Sequence, residues 1–96
     1  MISVFHMDRN NLERSAEIIK GLAHPMRLQI AHQLLMKKSL NVSELQQILN
    51  LPQSTVSQHL NKMRNHKVVA YERKGIEVYY RVEDKKVKQT LNALIS

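Results

Sequence analysis

Apolar positions recur at helical spacing along most of the chain and at strand spacing in one stretch of its second half. Leu12, Ala16 and Ile19 fall at i, i+4 and i+7, with Ile18 widening the stripe, and predict an amphipathic helix over about residues 10–20. Asp8 to Asn11 supply capping residues for it, with Glu13 placed to reach back if Asn10 is the cap. Gly21 is expected to end or weaken this helix. His24-Pro25 then restarts it, with Pro25 in a first turn where its missing N–H costs little. Met26, Ile30 and Leu34, flanked by Leu35, line one face of the second helix.

Lys37-Lys38-Ser39 breaks the pattern, and Leu40-Asn41-Val42 has the make-up of a short strand. Ser43-Glu44-Leu45-Gln46 reads as a capping box, with Ser at the cap and Gln three residues on, opening a third helix through Leu49. Asn50-Leu51-Pro52 is a tight connection, since the residue before proline disfavours helical angles. A fourth helix follows at once. Two short helices so joined predict a helix-turn-helix over about residues 43–65. Val68-Val69-Ala70-Tyr71 and Ile76-Glu77-Val78-Tyr79-Tyr80-Arg81-Val82 are rich in strand formers, and Arg73-Lys74-Gly75 supplies a turn between them. They predict a β-hairpin over about 68–82. Glu83-Asp84 caps a last helix over about 84–95, with an apolar stripe of Val87, Leu91, Leu94 and Ile95. The expected fold is mainly α with a small β-hairpin (α+β), in the order α-α-β-α-α-β-β-α. That is a winged helix-turn-helix, and one domain spans 1–96.

Within the fourth helix, Val56, Leu60 and Met63 fall together at about 100° per residue and must face the core. The opposite face is Ser54, Gln58, Asn61 and Asn65, flanked by Ser57 and Lys62. A merely solvated helix face favours Glu, Lys and Ala; this one carries versatile hydrogen-bonding groups that are poorer or merely neutral helix formers. No acidic residue occurs between Pro52 and Lys67, where an acid would repel phosphate. Gln bonds adenine in a bidentate way and Ser tolerates several bases, so Gln58 and Ser57 are the first candidates for base contacts, then Ser54 and Gln53. The turn of Gln53, Ser54 and Thr55 would also present backbone N–H groups to a phosphate. Lys62 and Arg64 suit phosphates, which position without specifying. His59 lies beside the apolar stripe, where it either packs between helices or reads a base. Arg73 and Lys74, at the hairpin tip, would reach the flanking backbone or the minor groove, whereas Tyr71, Tyr79 and Tyr80 fit hairpin packing.

Composition supports this picture. Lys and Arg number 15 against 8 Asp and Glu, and the net +7 is uneven: +2 over residues 1–50 and +5 over 51–96. A basic C-terminal half suits a polyanion such as double-stranded DNA. With 96 residues, no Trp and a single Phe, the monomeric core is modest, which favours a homodimer whose interface serves as a second core. The absence of cysteine removes disulfides, thiolate metal sites, thiol redox sensing and cysteine nucleophiles. No apolar run is long enough to cross a bilayer, and Met1-Ile2-Ser3-Val4-Phe5-His6 lacks the make-up of a signal peptide, so a cytoplasmic protein with no membrane partner is expected. An enzyme is not expected: the only glycines are Gly21 and Gly75, and Glu83-Asp84 is the only paired carboxylate and serves as a cap. RNA binding is disfavoured by the lack of an aromatic platform motif.

Three segments also resemble a known family. Leu22-Ala23-His24-Pro25-Met26-Arg27-Leu28-Gln29-Ile30 resembles the second-helix signature of the ArsR/SmtB family of bacterial repressors. Gln53-Ser54-Thr55-Val56-Ser57-Gln58-His59-Leu60, followed by Met63-Arg64, resembles its recognition helix, and Val78-Tyr79-Tyr80-Arg81-Val82 its second wing strand. The matches stand in family order, cover roughly residues 12–96, and fit the PagR-type, non-metal-sensing branch. The resemblance implies a homodimer through the first and last helices on a near-palindromic operator, which fits stripes that lack a partner within one chain. The interface would use Leu12, Ala16, Ile19, Val87, Leu91, Leu94 and Ile95.

Two departures bear on sensing. Members that sense metal through cysteines near the third helix differ from Val42-Ser43-Glu44-Leu45-Gln46. Members with an Asp-x-His motif opening the last helix differ from Asp84-Lys85-Lys86, where two ammonium groups would repel a cation. The histidines His6, His24, His32, His59 and His66 show no ligand spacing on a shared element. The expectation is therefore a DNA-binding regulator with no cofactor, no metal and no identifiable small-molecule effector. Its alternatives are a metal- or ligand-responsive repressor with a nonstandard site, and an interaction module that does not read sequence.

Overall fold

Eight elements follow one another in the computed structural model, which describes residues 8–95. They are α1 (Arg9–Leu22), α2 (Pro25–Lys37), β1 (Leu40–Asn41), α3 (Val42–Leu49), α4 (Gln53–Asn65), β2 (Ala70–Lys74), β3 (Glu77–Arg81) and α5 (Lys85–Ile95). The opening hexapeptide and His6 lie outside the described residues. The fold is a winged helix-turn-helix. Its three strands form an antiparallel sheet in the order β1-β3-β2, with Leu40 opposite Tyr80 and Tyr71 opposite Tyr80 from the other side.

The core gathers one face from every helix. Ile18 and Leu22 of α1, Ile30 and Leu34 of α2, Leu45 of α3, and Val56, Leu60 and Met63 of α4 are buried, joined by Tyr80 and by Val68 and Val69 ahead of β2. Burying a large aliphatic side chain contributes about 1.5–3 kcal/mol, so the three α4 anchors hold that helix firmly.

Local chemistry departs from the expected boundaries in several places. Asp8, not Asn10, caps α1 by accepting from the Asn10 N–H at 3.0 Å, and Glu13 pairs with Arg9. Gly21 does not end α1; the helix continues to Leu22. A Cβ there would stand 2.9 Å from both His66 Cβ and Val68 Cγ1, so glycine is required by close approach rather than by a turn. His24 caps α2 through Nδ1, accepting from the Met26 N–H at 3.0 Å. Within α2, Met26 is only half-buried and Arg27 takes the buried place. Arg27 donates to the carbonyls of Gly21 (2.9 Å) and Lys20 (3.3 Å), satisfying groups that the end of α1 leaves open.

The capping box of α3 sits two residues earlier than Ser43. Asn41 Oδ1 accepts from the Glu44 N–H at 2.8 Å and Glu44 Oε1 from the Asn41 N–H at 2.9 Å. Asn caps as well as Ser, and β1 delivers the chain to the helix already at Asn41. Asn50 closes α3 in the left-handed region (φ 54°), and Pro52 leads directly into α4. The wing turn is Gly75-Ile76 rather than Arg73-Lys74-Gly75, with Lys74 paired to Glu77 across it. A positive φ of 64° at Gly75, the first loop position, suits a two-residue hairpin. Val68 and Val69 precede the strand and belong to the core. Asp84 caps α5, its Oδ1 accepting from the Lys86 N–H (2.7 Å) and the Val87 N–H (3.2 Å).

Candidate nucleic-acid interface

α4 presents its polar face outward because its apolar face is fully occupied. Val56, Leu60 and Met63 are completely buried, and Gln53, Ser54, Gln58, Asn61, Lys62, Arg64 and Asn65 are exposed. Thr55, Ser57 and His59 lie half-buried on its flanks. No side chain caps this helix, so the N–H groups of its first turn are left to solvent or ligand. With no carboxylate on α4, the outward face combines amide and hydroxyl groups with a positive C-terminal turn (Lys62, Arg64).

His59 turns toward α2. Its ring centroid lies 4.5 Å from that of His24, tilted by 47°. Loss of solvent lowers its pKa below the ordinary 6.5, with further lowering from His24 and Arg27. A neutral, packed imidazole is thus the form this position favours.

Arg64 also differs from the other polar residues of the helix. Its guanidinium carbon lies 4.0 Å from the Tyr71 ring centroid, and its Nη2 donates to the Tyr71 hydroxyl at 3.2 Å. Tyr71 therefore does more than pack within the hairpin, and no local pattern signals it, because the partner belongs to another element. The two wing cations also separate. Arg73 shares the face of β2 that carries Tyr71, since alternate residues point the same way. Lys74 points to the other face, with Nζ 5.4 Å from the Tyr79 ring centroid. Ile76, at the apex, is 92% exposed.

A second surface is apolar. Leu12 (47%), Ile19 (62%) and Leu94 (62%) are exposed, together with Ala16, while Ile95 is half-buried and packs against the core. Ile19, Leu22, Leu28 and Leu94 line a shallow apolar recess. Val87 and Leu91 do not belong to this surface. Both are completely buried against the chain's own core, because α5 packs that face on α2.

Of the histidines among the described residues, His24 and His59 are in ring contact. His66 Nδ1 lies 3.8 Å from Glu17, and no group of three or more His, Asp or Glu able to hold a metal occurs among the described residues. Burial raises the pKa of Asp84, but hydrogen bonds from the Val87 N–H, Arg14 and the Lys86 N–H outweigh it and leave the carboxyl below its ordinary value.

Comparison with known proteins places these features in context. Residues 24–71 match the family model described as bacterial regulatory protein, arsR family. The chain is similar to the transcriptional repressor PagR of Bacillus anthracis, with 51% identity over 84 residues covering 88% of this chain and 84% of PagR. It superposes on the crystal structure of that repressor with a TM-score of 0.84, covering 91% of this chain and 99% of the other at 49% identity. A biofilm growth-associated repressor of Xylella fastidiosa is 33% identical over 96 residues, 96% of this chain and 83% of that protein. HlyU from Vibrio cholerae superposes with a TM-score of 0.82 at 33% identity, covering 92% and 94%.

Proposed function

This chain belongs to the arsR family of bacterial regulatory proteins, and we propose that it is a sequence-specific, DNA-binding transcriptional repressor acting in the cytoplasm as a homodimer on a near-palindromic operator. The observation that carries this is the outward, acid-free polar face of α4, backed by three completely buried anchors. Such a helix enters a major groove without rearranging. Gln58 and Ser57 read base edges, Ser54 and Gln53 add contacts at the helix start, and the Thr55 turn offers N–H groups to a phosphate. Asn61 and Lys62 follow the backbone, Arg73 reaches the flank from the wing, and Lys74 adds charge there. His59 holds α4 against α2 rather than reading a base. One domain carries all of this, and no catalytic role is assigned to it.

The dimer uses Leu12, Ala16, Ile19 and Leu94, which α1 and α5 leave exposed, with the half-buried Ile95 at the end of α5. A two-fold pair would present two α4 helices to successive major grooves, so half-sites should lie about one helical turn, or a multiple, apart. The carboxylate that opens α5, Asp84, is engaged by Arg14 and two backbone N–H groups, which compete with any cation there.

Titrating operator and random duplex with variants tests the base-reading assignment. Gln58→Ala should cost about 1–3 kcal/mol on the operator and relax base preference. Lys62→Ala should weaken both duplexes alike and lower the salt slope by about one. Equal losses from Gln58→Ala on both duplexes would remove Gln58 as a reader.

A further inference from the structure

The corner between α4 and β2 is held from two sides by side chains. Behind it stands Arg14 of α1. Its Nη1 donates to the His66 carbonyl at 2.9 Å, and its Nη2 to the Lys67 carbonyl at 2.7 Å and to Asp84 at 3.1 Å. In front stands the Arg64–Tyr71 pair, which joins the last turn of α4 directly to the first half of the wing. The corner is a tight one. Lys67 takes a left-handed φ of 58°, and the N–H groups of Lys67 and Val68 turn back to Arg64 and Met63 at 2.9 Å each. β2 is an edge strand, exposed over most of its length and paired to β3 on one side, so no strand among the described residues holds its outer side.

We propose that Arg14 and the Arg64–Tyr71 pair are positioning residues that fix the wing against the recognition helix, so that Arg73 meets the DNA backbone when the Gln58 face is seated. This rests on the DNA-reading function above. Tyr71 and Arg73 lie on one face of β2, so holding the Tyr71 ring to α4 also sets the direction of Arg73. Arg64 then acts through Tyr71 rather than as a phosphate ligand. Arg14 spans two carbonyls and a carboxylate with one planar fork, a geometry that a lysine ammonium cannot reproduce.

Double-mutant cycles test this on a duplex selected in vitro by the native protein from a random pool, beside a random duplex of equal length. Tyr71→Ala and Arg14→Met should each weaken binding to the selected duplex about as much as Arg73→Ala, roughly three- to tenfold. On either background Arg73→Ala should add less than about twofold, while Gln58→Ala keeps its full effect. Tyr71→Phe retains the stacked ring and should retain most of the affinity. Additive losses from Tyr71→Ala and Arg73→Ala would overturn the proposal. So would an equal shrinkage of the Gln58→Ala effect, which would mean that the whole fold had loosened. Tyr71 is exposed, so its variants keep the test open should Arg14→Met not fold. A native protein that binds both duplexes equally would instead overturn the base-reading function itself.

Discussion

At the scale of the residue, His59 shows how packing assigns a role that polarity leaves open. Beside the apolar stripe it has the hydrogen-bonding capacity of a base reader, yet it leans on His24, whose Nδ1 already caps α2. Burial first, then His24, then Arg27 lower its pKa below 6.5. The unfolded chain therefore takes up the proton more readily than the folded one, and stability falls as pH drops through about 6.5. The contribution is fully present above that pH. The melting temperature should decline as the pH falls below about 6.5, and His59→Gln should flatten that decline. An unchanged pH profile in the variant would place the acid sensitivity elsewhere. Arg27 makes a similar point: a charged residue takes the buried place on α2 because two open carbonyls of α1 await it.

At the scale of the element, Gly21→Ala sets two effects against each other. Alanine in a helix interior gains about 1 kcal/mol over glycine. Against that, the new methyl would meet His66 Cβ and Val68 Cγ1 at 2.9 Å, and neither is the free end of a flexible side chain. Overpacking of this kind typically costs about 1–3 kcal/mol, and urea denaturation should show Gly21→Ala net destabilised. Asn41→Ala should lose about 1 kcal/mol by removing half of the capping box; a Ser43→Ala variant, outside the box, should lose less. Element order and the inward face of α4 were legible in the sequence, since Val56, Leu60 and Met63 obey a local period. Boundaries were less so, because Asn41 and Ser43 both offer a plausible cap and only the pairing of β1 with β3 selects the first. The braces were not legible at all. Arg14 meets His66 and Asp84 across 52 and 70 residues of chain, and no local rule couples positions so distant.

At the scale of the whole molecule, the apolar stripes of α1 and α5 divide between two tasks. Period alone makes Val87, Leu91 and Leu94 one stripe; the fold spends Val87 and Leu91 inside and leaves Leu94 outside. Ile19→Asp and Leu94→Asp should therefore give folded monomers that bind operator poorly, whereas Leu91→Asp should unfold the chain. Sedimentation and circular dichroism together distinguish these outcomes. A folded, dimeric Leu94→Asp would remove α5 from the interface. If the proposed dimer forms through the uncovered strip on α1 and α5, abundance becomes an input to regulation. Where two chains must associate before an operator is filled, occupancy at low copy number rises with the square of the chain concentration. A modest change in synthesis or degradation would then silence or release a promoter with no inducer molecule at all.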